Sequence, residues 1–127
     1  MISDTAKTEL IEASNSWRTL WRKQLDSMNG TDQVQAERFR IVSDAFRDVA
    51  NGKDVEEVVK IMEDRWRSYA DEWNAKVKDA GKIKRGPMSG ASSIHYKHCS
   101  YEAIQANQIY VRNVCRTVIE RSQAVGG

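Results

Sequence analysis

The stretch DVEEVVKIMEDRWRSYADEWNAKV, residues 54–77, decides the fold class. Its apolar residues Val55, Val59, Met62, Trp66, Tyr69, Trp73 and Val77 follow one another at steps of three and four. That rhythm puts them on one face of an α-helix. Glu56–Lys60, Glu63–Arg67 and Glu72–Lys76 stand at the i, i+4 spacing of supporting ion pairs on the remaining surface. Asp54 with Glu57 forms a capping-box pattern, so the helix is expected over 54–80, with Gly81 closing it.

On its N-terminal side, Asn51-Gly52-Lys53 separates this helix from a second, expected over 32–50, whose stripe is Phe39, Val42, Phe46 and Val49, widened by Val34, Ile41 and Ala45. Asn-Gly also occurs in β-hairpins, but the flanks here have helical rather than alternating periodicity. Asn29-Gly30-Thr31 punctuates the chain in the same way and ends a first helix over 5–28, with Leu10, Ser14, Trp17, Trp21, Leu25 and Met28 on one face. A fourth helix is expected over 100–123. Ser100 suits its N-cap and Glu102 its positive end, while Ile104, Val111, Val118 and Val125 recur every seven residues. Val114, Cys115 and Ile119 broaden that face, and Asn107 falls on it as a polar exception.

The expected fold is therefore all-α: a single domain over 1–127, a four-helix, mostly antiparallel bundle. Joints of two or three residues make the first three helices antiparallel neighbours. The third connection, 81–99, is long and rich in glycine and serine, and it is basic. No acidic residue stands between Asp79 and Glu102, whereas Lys82, Lys84, Arg85 and Lys97 do. With those four set aside, 16 basic residues face 18 acidic ones, so this connector holds all of the basic excess. So long a tether also permits the last helix to pack in its own subunit or to be exchanged with a neighbour.

His95, His98 and Cys99 fall within five residues and invite two chemical readings. Zinc needs a further ligand, and Cys115 lies about 24 Å from Cys99 along a helix at 1.5 Å per residue. A Cys99 nucleophile with a histidine base also needs an orienting group and an oxyanion site, which the sequence does not supply. No GxxxxGK[ST] order and no preceding strand support a phosphate loop. The expectation is no catalytic residue, no metal and no cofactor: the protein is not an enzyme.

Two surfaces remain. Arg18, Arg22, Arg65 and Arg67 flank Trp17, Trp21 and Trp66 in sequence. Adjacent helical residues point about 100° apart, so these arginines are expected to rim the bundle rather than stack on the rings. Trp and Arg together are also the chemistry of interface anchors. The connector residues Lys82, Lys84, Arg85, His95, Lys97 and His98 form a candidate polyanion-binding arm, its histidines gaining charge as pH falls toward about 6. The functional expectation is a non-enzymatic interaction protein (assembly subunit, adaptor or inhibitor) acting through helix faces and self-associating. The alternative is a nucleic-acid-associated nucleoprotein or coat-type subunit that contacts phosphates through the connector. No run approaches the roughly 18 apolar residues of a membrane span. The beginning of the chain lacks a signal-peptide pattern, and two cysteines cannot staple a secreted domain. These features lead to the expectation of a reducing, cytoplasmic setting, or a particle assembled there.

Overall fold

In a computed structural model, residues 2–26, 30–83 and 98–126 are described, with backbone alone at 30–32, 80–83 and 124–126. The described chain is all-helical. It comprises α1 (Asp4–Leu25), α2 (Gly30–Ala50), α3 (Val55–Ile83), a 3₁₀ turn (Tyr101–Ile104) and α4 (Gln105–Gly126), packed as a bundle.

The helix ends follow local chemistry. The Ser3 hydroxyl caps α1 by accepting from the Ala6 amide at 3.2 Å. At the end of α2, the Gly52 amide donates to Val49 O and the Lys53 amide to Asp48 O, both at 3.0 Å. These paired bonds make a Schellman motif, and Gly52 takes the positive φ of 103° that the motif requires. Asp54 then caps α3 by accepting from the Glu57 amide at 3.2 Å.

Several boundaries differ from expectation. α1 ends at Leu25, not 28, and α2 begins two residues earlier than 32. Leu25, placed on the core stripe by its spacing, is 48% exposed. Gly81 does not close α3, which runs to Ile83, so the first three residues of the expected connector are helical. One glycine costs a helix only about 1 kcal/mol and does not stop it. The last helix opens with a 3₁₀ turn rather than directly at residue 100. Connector residues 84–97 lie outside the described residues.

The core consists of Leu10 from α1, Ile41, Val42, Phe46 and Val49 from α2, Val58, Met62, Trp66 and Ala70 from α3, and Ile104, Val111 and Cys115 from the last segment. Burying Trp66 completely ties α3 to its neighbours, and truncating such a residue costs about 3–5 kcal/mol. α1 and α2 meet through small residues: Ala6, Ser14, Ala36 and Ser43 are all buried. Ser14 Oγ donates to Ser43 O and Ser43 Oγ donates to Ser14 O, each at 2.8 Å. Each hydroxyl spends its single proton on the opposite backbone, so this buried polar pair is satisfied and joins the two helices at close approach. Trp17 and Trp21, expected in the core, are only half-buried at its edge.

Candidate functional site

Of the cluster that looked most chemical in sequence, Cys99 belongs to a structural joint. Asn74 of α3 grips the backbone of Cys99 from both sides: its Oδ1 accepts from Cys99 N–H at 2.6 Å, and its Nδ2 donates to Cys99 O at 3.0 Å. One residue on, the Trp66 indole N–H donates to Ser100 O at 2.7 Å. The Tyr101 hydroxyl donates to Asp71, and the Arg67 guanidinium lies over the Tyr101 ring, 5.1 Å from its centre. Ser100 accepts from the Glu102 amide at 3.2 Å and donates to the Glu102 carboxylate at 2.6 Å. Four α3 residues therefore fix residues 99–101 against the bundle.

Within this joint Cys99 is 8% exposed, and burial pushes its thiol up against the opposing pull of Arg38. Cys115 is fully buried in the core, where burial pushes its thiol up to about 12. Neither is a ready thiolate at neutral pH. His98 is exposed beside the joint; His95, Lys84, Arg85 and Lys97 lie outside the described residues, and of Lys82 only the backbone, within α3, is described. Among the described residues no three of His, Cys, Asp and Glu converge as metal ligands.

The four rim arginines divide. Arg18 from α1 and Arg65 from α3 both reach Asp44 of α2, at 3.8 and 2.8 Å, so they bind three helices of this chain to one another. Arg67 pairs with Glu63 at 3.6 Å while covering Tyr101. Arg22 is exposed near the end of α1, with no ion pair among the described residues. None of the four stacks on the tryptophan beside it in sequence. The ring of Trp21 is met instead by Arg40 of α2, 5.9 Å from its centre.

Between α2 and α3 lies an open depression of about 400 Å³ lined by Glu37, Asp64, Arg65, Ser68, Tyr69 and Glu72. Burial raises the Glu37 carboxyl pKa against the charges of Arg40 and Arg65, and burial with the Glu37 charge pushes the Tyr69 hydroxyl up to about 12. The depression is acidic, wide and open to solvent.

A different surface stands out where α1 and α4 meet. A chain of rings crosses three helices: Phe39 to Trp17 at 5.4 Å, Trp17 to Tyr110 at 5.7 Å, and Tyr110 to Phe46 at 6.1 Å. Tyr110 in this chain and its neighbour Ile109 are uncovered. Ile109 is 55% exposed and Tyr110 45%; Leu20, one turn along α1 from Trp17, is also exposed. On α4 the exposed residues Gln105, Ala106, Ile109, Tyr110 and Asn113 carry no charge, and Arg116 is the first exposed charged residue after them. In a chain that is 30% charged, an exposed run without charge over more than two helical turns is unusual. Sequence reasoning passed over this face because the opposite, valine-rich stripe carries the stronger periodic signal; the uncharged run QANQIYV, 105–111, was the available clue.

Among the described residues no helix is long and apolar enough to cross a membrane. Comparison of the chain with protein-family models, with curated proteins and with solved structures found no match.

Proposed function

We infer that this protein is a non-enzymatic helical-bundle interaction protein that recognises a protein partner through the α1–α4 face. The observation that carries the reading is the exposed Tyr110 of the ring chain with its apolar neighbours, Ile109 on the uncharged run of α4 and Leu20 on α1. Exposed aromatic and aliphatic anchors on rigid helices are the usual centre of a protein interface. Burial of both thiols supports the same reading, since it removes the strongest nucleophile candidates. The contacts rise along one helix as they fall along the next (Ser14 with Ser43, Trp17 with Phe39; Glu56 with Arg112, Val59 with Gln108), which supports an antiparallel course for the bundle.

The test is photo-cross-linking in the producing cell, with a photoreactive residue at position 109 and, as control, at exposed position 60 on α3. Protein adducts from 109 and not from 60 are expected. Equal yields from both positions, or none from either, would remove the reading.

A further inference from the structure

The outer face of α4 carries a charge pattern that names its own partner. Ile109 and Arg116 of α4 are seven residues apart, close to two full helical turns; Glu102, seven residues before Ile109, stands in the 3₁₀ turn, whose tighter winding shifts it by about 60° but keeps it on the same side. They sit two residues ahead of the buried stripe Ile104, Val111 and Val118, which turns them about 200° away in α4, and about 240° in the 3₁₀ turn, toward solvent. All three are exposed. The face therefore reads acid, apolar, base along its length, with Ile109 at the centre.

Such a face is complementary to itself in one orientation. If two copies meet antiparallel about a two-fold axis at Ile109, each Glu102 faces the Arg116 of the other copy. Arg116 lies about 10.5 Å from Ile109 along the axis, and Glu102 about 12 Å across the 3₁₀ turn, so the opposed groups fall in register. In a parallel meeting Glu102 faces Glu102 and Arg116 faces Arg116, which is repulsive. Between the charges stand Gln105, Ala106 and Asn113, uncharged, with Ala106 small enough for close approach, and Arg112, which is neutralised by Glu56 at 2.9 Å. A two-fold contact needs this self-complementarity, because each patch must fit its own copy.

The charged groups are available. Glu102 is held ionised, its carboxyl lowered chiefly by the hydrogen bond from Ser100. Arg116 spends one nitrogen on Glu56 at 3.0 Å, and its side chain remains 53% exposed; Arg112 also pairs with Glu56, at 2.9 Å, so that carboxylate keeps a partner if Arg116 turns outward.

We propose that a second copy of this chain occupies the outer face of α4, in an antiparallel two-fold pairing centred on Ile109 with Glu102 of each copy against Arg116 of the other. The proposal rests on the reading of the α1–α4 face as an interaction surface and adds the partner and the register.

Sedimentation velocity on the full chain tests it, comparing wild type, Glu102→Arg, Arg116→Glu and the double reversal. Wild type is expected to form a dimer as concentration rises. Each single reversal sets like charges opposite at two symmetric places and is expected to weaken the dimer by about tenfold or more. The double reversal is expected to regain most of that loss, which damage to the fold would not. Should a reversal disturb the bundle through Glu56, Ile109→Lys serves in its place. It lies at the exposed centre, brings two like charges together and is expected to leave only monomer. A wild-type monomer at every concentration overturns the proposal, as does a dimer indifferent to Ile109→Lys, or single reversals that the double does not rescue. If the chain is monomeric while photo-cross-links from position 109 join it to a different protein, the second copy is refuted and the interaction reading stands. If no cross-links form either, both fall.

Discussion

Replacing Asn74 by alanine removes both halves of the clasp that holds the chain at the start of its last segment. In the native protein the Asn74 side chain satisfies the N–H and the C=O of Cys99, at 2.6 and 3.0 Å. Each bond contributes about 0.5–1.5 kcal/mol net, and a backbone group left unpaired away from water costs about 1–3 kcal/mol. Asn74 is half-buried and Ser100 exposed, so water can reach part of the vacated site, and the lower ends of these ranges apply. The expected loss is about 2 kcal/mol, or roughly 6–10 °C in Tm for a chain of this size. Urea denaturation with an unchanged m-value measures it, and faster exchange of the Cys99 amide locates it. Asn74→Asp sharpens the test. Its carboxylate still accepts from Cys99 N–H but turns an oxygen toward the Cys99 carbonyl, so it should destabilise at neutral pH. Protonation restores a donor, which raises that carboxyl in the folded state and lets the variant recover as pH falls. A loss under about 0.5 kcal/mol for Asn74→Ala, within the range of an ordinary surface change, would refute the view that residues 98–101 form a structural joint.

Three further outcomes rest on the same geometry. Gly52→Ala is expected to cost about 1–2 kcal/mol in thermal or urea unfolding, because φ is 103° while an added Cβ meets nothing within 4 Å; backbone strain alone is at issue. Cys99 and Cys115 are expected to resist a thiol reagent in the folded protein and to react only as it opens, and rapid labelling of Cys99 under native conditions would contradict its burial. Because burial raises the Glu37 carboxyl pKa, the folded protein holds a proton that the unfolded chain releases in the window above the ordinary glutamate range. Stability should therefore fall as pH rises through that window, and Glu37→Gln should flatten this part of the profile.

The sequence carried the local rules well and the long-range ones poorly. The α3 stripe, the Asp54 cap and the Asn51-Gly52 stop depend on residues within a turn or two of each other, and each is found where its spacing puts it. Gly81 failed as a stop because a glycine ends a helix only when the chain beyond it leaves the helical path, and here Lys82 and Ile83 continue that path. His98 and Cys99 suggested ligand chemistry because the partner that explains Cys99, Asn74, stands 25 residues upstream. The pairing of Arg18 and Arg65 on one Asp44 was likewise illegible, since three helices must pack before those side chains meet. The exposure of Ile109 and Tyr110 depends on which stripe of α4 the core takes. Once the valine stripe is buried, the opposite face and its acid–apolar–base order are set by the helical period.

The most direct measurement of the central claim is a dilution series of amide NMR spectra on the full chain, which reports association and its location together. Concentration-dependent shifts or broadening are expected at residues 102–117, in the 3₁₀ turn and α4, and at Leu20 of α1, with the exposed face of α3 around Lys60 and Lys76 unchanged. Spectra that stay fixed at every concentration, or changes that centre on another face, would contradict the claim.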